Sequence, residues 1–192
     1  MEFATLFSKT ERAYTGVELR PHFLLTELGL KGSALGAFIG PCRVATEHLV
    51  DWEDRLAHDR IEAKSMVHFI GEFFGATLKE GVLRQRLFMA QVGQTLNDEL
   101  LKKGTPEKRL HRDGDDLFSL GRKLSVSIVT ASPVSQLLHV GINIDPAGAP
   151  VPAIGLAELG IEAEAWIPKV LAAFAEEWDS MEWACAKVRP VM

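Results

Sequence analysis

Cysteine is scarce: the 192 residues include only Cys42 and Cys185, and neither belongs to a CxxC pair. That usage excludes a disulfide-stapled scaffold and a thiolate zinc site, and it suits a reduced, cytoplasmic protein. Long apolar runs are missing too. No stretch approaches the roughly 18 residues of a membrane span, and the N-terminus shows no signal-peptide pattern. A membrane is therefore not an expected partner. Basic charge is not in excess either, because 21 Lys and Arg face 26 Asp and Glu for a net charge of −5. With no basic face interleaved with aromatics, nucleic acid is not an expected partner. The basic run from Lys102-Lys103 to Lys108-Arg109 reads as a solvated connection, and no internal repeat or low-complexity tract is visible.

What is present is ordinary for a globular chain, 47% hydrophobic and 24% charged, and long enough for a sizeable core. The simplest organisation is a single domain over residues 1–192. The chain centres on the stretch Arg112 to Asp145. From Lys123 the side chains alternate, with Lys123, Ser125 and Ser127 on one face and Leu124, Val126 and Ile128 on the other. A period of two in a β-branched run predicts a half-buried strand. Ser132-Pro133 breaks it, and alternation resumes with Leu138, Val140, Ile142 and Ile144 opposed to His139, Gly141 and Asn143.

If Ala131 and Ser135 flank a three-residue loop, Lys123 lies opposite Asn143, Ser125 opposite Gly141, and Ser127 opposite His139. Gly141 would then leave room for another group to approach. Upstream, Asp115 to Ser119 is expected to pair with the lysine strand through Leu120-Gly121-Arg122. The length of that turn decides whether Asp115 or Asp116 shares the lysine face. Arg112, Gly114 and both aspartates crowd this entry. The competing reading makes Lys123, Ser125 and Ser127 merely the wet face of an ordinary sheet.

Elsewhere the signals are shorter. Leu19 to Leu30 fits a short helix ended by Gly29, and Ala34 to Val44 a buried strand broken at Gly40-Pro41. Cys42, just past that break and next to Arg43, is a candidate nucleophile weighed against a small buried hydrophobe. Val50 to Asp54 sets three carboxylates around Trp52, enough to polarise an amine or hold Mg²⁺, or simply to solvate a turn. Met66 to Phe74 fits helix or strand. Either way His68 and Glu72 share a face inside a very apolar run, as an acid–base pair or as satisfied core groups.

Val82 to Lys102 is a helix with a stripe of Leu83, Leu87, Ala90, Leu96 and Leu100, with Arg84 and Arg86 at the surface or meeting an anion near its start. The last helix is expected to start near Pro168. Its stripe runs from Ile167 to Cys185, which is read as structural.

The whole chain resembles an uncharacterised prokaryotic domain-of-unknown-function family. The segments that carry this are FIGPCRV, VDWED, MVHFIGEFF, RDGDDLF, KLSVSI, HVGINI and GLAELGI. Residues 112–178 are also distantly similar to the biotin and lipoate protein ligase and octanoyltransferase superfamily. Arg112 with Gly114, Lys123, Gly141-Ile142-Asn143 and Leu156-Ala-Glu-Leu-Gly160 occupy its motif positions in order. That resemblance implies an α+β fold: a mixed, largely antiparallel sheet packed against helices, class II synthetase-like. It also implies that Lys123 holds an acyl-donor oxygen. The chain departs from the adenylating members by carrying Asp113, Asp115 and Asp116 where they carry glycines and arginines. Acids repel a phosphate, which disfavours ATP-dependent adenylation and favours an amine-bearing ligand.

Three functions follow. The first is an enzyme that binds a small carboxylate, acyl or nucleotide-like ligand, with Lys123 stabilising charge and His139 or His68 carrying protons. The second is a non-catalytic small-molecule binding protein using the same pocket. The third is a pterin- or deazapurine-handling enzyme, faintly resembled by Glu62-Ala-Lys-Ser65 with His68 and Cys42. No cofactor is assigned and no metal-ligand set. An edge strand leaves room for a homodimer.

Overall fold

The computed structural model describes residues 3–191. In chain order the elements are β1 (Ala4–Phe7), α1 (Phe23–Leu28), β2 (Ala34–Val44), α2 (Trp52–Leu56), β3 (Ile61–Phe74), α3 (Leu78–Lys102), β4 (His111–Asp113), β5 (Asp116–Ser119), β6 (Arg122–Lys123), β7 (Ser125–Ala131), β8 (Ser135–Asp145), α4 (Leu156–Leu159) and α5 (Ala163–Ala186). The main sheet runs β1-β2-β3-β8-β7, and β4-β5-β6 form a second, small one. Every pairing is antiparallel except β1 with β2. No helix among the described residues is long and apolar enough to cross a membrane.

Met66 to Phe74 is strand, the second half of β3, buried on both faces between β2 and β8. A strand covered on both sides reads as a continuous apolar run, which is why its period was ambiguous. One face, with Val67, Phe69, Phe73, Leu138 and Val140, packs on α3 and α5. Helix α3 starts at a capping box between Thr77 and Glu80. It buries Phe88, Met89, Val92, Leu96 and Leu100, whereas Leu83 is exposed. Arg84 packs over the rings of Phe73 and Trp178 instead of meeting an anion. Helix α5 begins at Ala163, five residues before Pro168, and Cys185 is exposed on its last turn, beyond the core its stripe serves.

The expected register of the central hairpin is off by one. Ala131 pairs with Gln136, so the loop has four residues. Ser132 closes it by accepting from the backbone N–H groups of Val134 and Ser135. The single extra residue turns β7 over. Ser125 and Ser127 now lie opposite Ile142 and Val140 on the helix side, and Val126 and Ile128 lie opposite Gly141 and His139 on the other. The serines are satisfied there. Leu117 N–H donates to Ser125, while Ser127 accepts from Gln85 and donates to Asp115. Lys123 is not part of that strand at all. Buried Leu124 separates β7 from β6, which belongs to the small sheet.

The second face of the main sheet carries Phe38, Met66, His68, Ile70 and His139, and the segment after β1 crosses it. That segment follows the edge of β2, with Arg12 N–H donating to Ile39 O at 3.0 Å and Tyr14 N–H to Pro41 O at 2.9 Å. The crossing needs Gly40: a Cβ there would stand 2.0 Å from the Arg12 carbonyl oxygen. Backbone, unlike a flexible side chain, cannot yield at that distance. Gly40→Ala is therefore expected to cost about 3 kcal/mol or more in urea unfolding. Gly29→Ala, where no atom lies within 4 Å of the added methyl but φ is 69°, reports backbone strain alone and is expected to cost less.

Candidate functional site

A cleft of about 430 Å³ opens on the sheet face away from α3 and α5. Met66, Val126, His139 and Asn143 form its floor, and Tyr14 stacks on His139 with ring centroids 3.7 Å apart. Its rim is acidic. Asp51, Asp54, Asp59, Glu62, Asp115 and Asp116 line it, against two cations, Lys123 and Arg60.

The small sheet delivers Lys123. Its hairpin turn has two residues, Leu120 and Gly121, both at positive φ, which pairs Phe118 with Lys123 and leaves Asp116 on the lysine face. The ammonium binds the Asp116 carboxylate at 2.8 Å, and the two side chains are 31% and 29% exposed. An ammonium has three donors, so one is committed and two remain to turn toward the cleft. Asn143 does neighbour Lys123, but through backbone. Its amide donates to the carbonyls of Ile154 at 3.2 Å and Lys123 at 3.4 Å, which pins the crossing between the two sheets.

His68 lies behind the floor residue His139; both are buried and joined Nδ1 to Nε2 at 3.1 Å. The other nitrogen of His68, Nε2, lies 3.2 Å from the Gly40 carbonyl. A carbonyl only accepts, so His68 carries its proton on Nε2 and accepts at Nδ1. His139 must then donate from Nε2, which leaves its Nδ1 an acceptor. Burial holds both rings neutral. It lowers the His68 pKa to about 3 and puts that of His139 well below the usual range, with His68 adding to the effect. Burial also raises the Tyr14 phenol, so it stays protonated.

Of the residues expected at the site, Lys123, His139, Asn143, Asp115 and Asp116 border the cleft, and Ser125 and Ser127 stand at its edge with their hydroxyls turned to the helix side. The others lie elsewhere. Cys42 is buried beside Tyr14, and burial first, then the charges of Glu18 and Glu62, push its thiol up to about 12, too high for a thiolate nucleophile. Glu72 sits at the far end of β3, where it accepts from the backbone N–H of His22 and from Ser135 Oγ. It anchors the left-handed residue that starts α1. Arg112 donates to the Gly114 carbonyl in an exposed turn, and Gly114 packs under Arg86. The space above Gly141 is filled by Met66 and Val126, not left for a ligand.

One contributor, Tyr14, went unread in the sequence, and a second, the VDWED segment, reads there as a polariser of an amine or a solvated turn. Tyr14 comes from a segment without a pattern, and its place depends on the long-range fit at Gly40. Of the VDWED carboxylates, Asp51 and Asp54 reach the cleft: Asp51 caps α2 through the N–H groups of Glu53 and Asp54, and Asp54 follows in the helix's first turn. Burial and the nearby charges of Asp51 and Asp59 raise the Asp54 pKa.

The histidine pair has a consequence for stability. In the unfolded chain each imidazole takes a proton near pH 6.5, but in the folded chain neither does until much lower pH. The unfolded state therefore binds more protons below pH 6.5, and stability falls as pH falls through that window. From pH 7 to 5.5 each ring is expected to remove about 1 kcal/mol, read from urea midpoints. A His68→Asn, His139→Gln double variant should show a flatter profile than the wild type over that range.

Comparisons with known proteins place this architecture. The chain is 34% identical to a protein of unknown function from Pyrococcus horikoshi, with a TM-score of 0.88 and 98% of each chain covered. It is 30% identical to an uncharacterised protein of Methanocaldococcus jannaschii, over 97% of this chain and 85% of that one. Biotin protein ligases share the fold at much lower identity. A mutant enzyme of Aquifex aeolicus in complex with biotin is 14% identical, with a TM-score of 0.58 and coverage of 93% and 71%. The Leishmania major enzyme in complex with biotinyl-5-AMP is 9% identical, with a TM-score of 0.54 and coverage of 90% and 73%. The fold is thus α+β, a mainly antiparallel sheet with helices, of the class II synthetase-like kind seen in those ligases. The family described as a domain of unknown function, DUF366, matches residues 3–189, and this chain belongs to it.

Proposed function

We propose that the protein binds a small organic molecule in the cleft and handles its carboxyl or acyl group in an acyl-transfer or ligase-like reaction, with Lys123 as the charge-holding residue. The observation that carries this reading is the placement of Lys123. It is the only ammonium that lines the cleft among the described residues, and Asp116 holds it in one direction. A cation fixed before the reaction stabilises an oxygen that gains charge without reorganising to do so. Kinship in fold with ligases whose structures hold biotin and biotinyl-5-AMP supports a carboxylate or acyl ligand. Neutral His139 fits the role of an acceptor that orients the ligand better than that of a proton carrier, because its ring resists protonation.

The test pairs Lys123→Ala with a ligand panel of biotin, lipoate, octanoate and ATP, read by thermal shift and calorimetry. A carboxylate of the panel should bind the wild type and lose at least about tenfold in affinity in the variant. The unliganded variant should lose no more than about 1 kcal/mol of stability, since the Lys123–Asp116 pair is part-exposed. Equal affinity in wild type and variant would remove Lys123 from the reading and leave a binding protein that uses the same cleft.

A further inference from the structure

The hydrogen-bonding polarity of the cleft is lopsided. Its cationic donors each face a carboxylate, Lys123 that of Asp116 and Arg60 that of Glu62, and the Asn143 amide is committed to two backbone carbonyls. Its acceptors are many, and they fall into two sets. The first is the acidic wall on α2 and the segment after it. Asp54 is half-buried there, next to Asp51 and Asp59, and its carboxylate has no ion pair or hydrogen bond among the described residues. The charges of Asp51 and Asp59 each act on it more strongly than the opposing charge of Lys123, and a bound cation would relieve that repulsion.

The second set is independent of the first. His139 is 2% exposed and lines the floor. Tyr14 covers one face of its ring, the Nε2 edge is turned to His68, and Cε1 lies over Gly141. The edge carrying Nδ1 is what the ring has left to offer the cleft. The tautomer argument makes that atom a bare acceptor, and it has no hydrogen-bond partner among the described residues. The atom itself keeps contact with the cleft, so it can accept from a ligand there. Among the described residues no three acidic, imidazole or thiol groups converge to hold a metal ion. Acceptors spread in this way around 430 Å³ suit an organic cation with several N–H donors.

We propose that the ligand of this cleft carries a protonated amine, received by the Asp54 wall, and an N–H or O–H group that donates to Nδ1 of His139. Taken with the Lys123 reading, on which this rests for the cleft being a ligand site, the substrate class is an amino-functional acyl compound: carbonyl end at Lys123, ammonium end at Asp54.

The closing experiment separates the two ideas. Hexanoate, 6-aminohexanoate and hexylamine are titrated calorimetrically into wild type, Asp54→Asn and Lys123→Gln. Both substitutions are at partly exposed positions and are expected to fold, which thermal melts will check. The inference expects 6-aminohexanoate to bind the wild type at least about tenfold more tightly than hexanoate, with that advantage lost in Asp54→Asn. Hexanoate binding as well as its amino counterpart, with Asp54→Asn neutral, overturns the inference while the Lys123 reading survives if Lys123→Gln abolishes that binding. An amine preference that needs Asp54 and ignores Lys123 upholds the inference and sinks the Lys123 reading. Failure of all three probes at millimolar concentration overturns both.

Discussion

The structure depends on a hydrogen-bond chain in which protons can be placed in only one way. The Gly40 carbonyl accepts from His68, and His68 accepts from His139. Because the first acceptor is a carbonyl, the direction of every later bond is set, and both rings must stay neutral to keep it. The same glycine admits the Arg12 backbone from above, which brings Tyr14 down onto His139. Thus one residue without a side chain sets the tautomers beneath the cleft and supplies part of its wall. Burying two imidazoles is tolerable because His68 is paired at both nitrogens and His139 at Nε2.

The two faces of the main sheet divide the work. The helix side is a conventional apolar core, with Trp166 and the Phe69, Phe88 and Phe174 rings packed edge to face. The other side holds His68, His139 and Glu72 and is covered by irregular chain and a short helix. Glu72 shows how that cover is attached. A buried carboxylate with no ion pair among the described residues is stabilised by the backbone N–H of His22 and a serine hydroxyl, so it serves as an anchor for α1 and is remote from the cleft. A polar residue in an apolar strand marks a fixed partner as readily as it marks chemistry.

Much of this was legible in the residues. Alternation located β7 and β8, the apolar run located β3, and the motif order pointed to the ligase-like fold that the comparisons show. Lys123 and Asn143 were expected to be neighbours, and they are, although through the lysine carbonyl and not its ammonium. What failed has a local cause. Apolar periodicity argued for Val126 and Ile128 on the helix side, but β7 is an edge strand, and Ser125 and Ser127 find partners on β5 and α3. With polar groups satisfied there, the usual penalty that selects register vanishes, and the loop length decides instead. Tyr14 could not be read at all, since no local pattern encodes a fit made across distant chain.

The acids around the cleft bear on how a ligase-like fold could serve a different ligand. The whole chain is only mildly acidic at −5, yet six carboxylates face two cations at this one mouth. Low-dielectric walls concentrate such a field, so cations would be drawn in and polyanions turned away before any contact is made. A triphosphate would have to approach against that field, whereas an amine would approach with it. The fold provides a sheltered floor and a lysine paired with Asp116; under the proposed reading, the charge at the rim would select what reaches them. Selection of that kind needs no change in the strands, only in the short segments that carry Asp54, Asp59 and Asp115, which lie between strands.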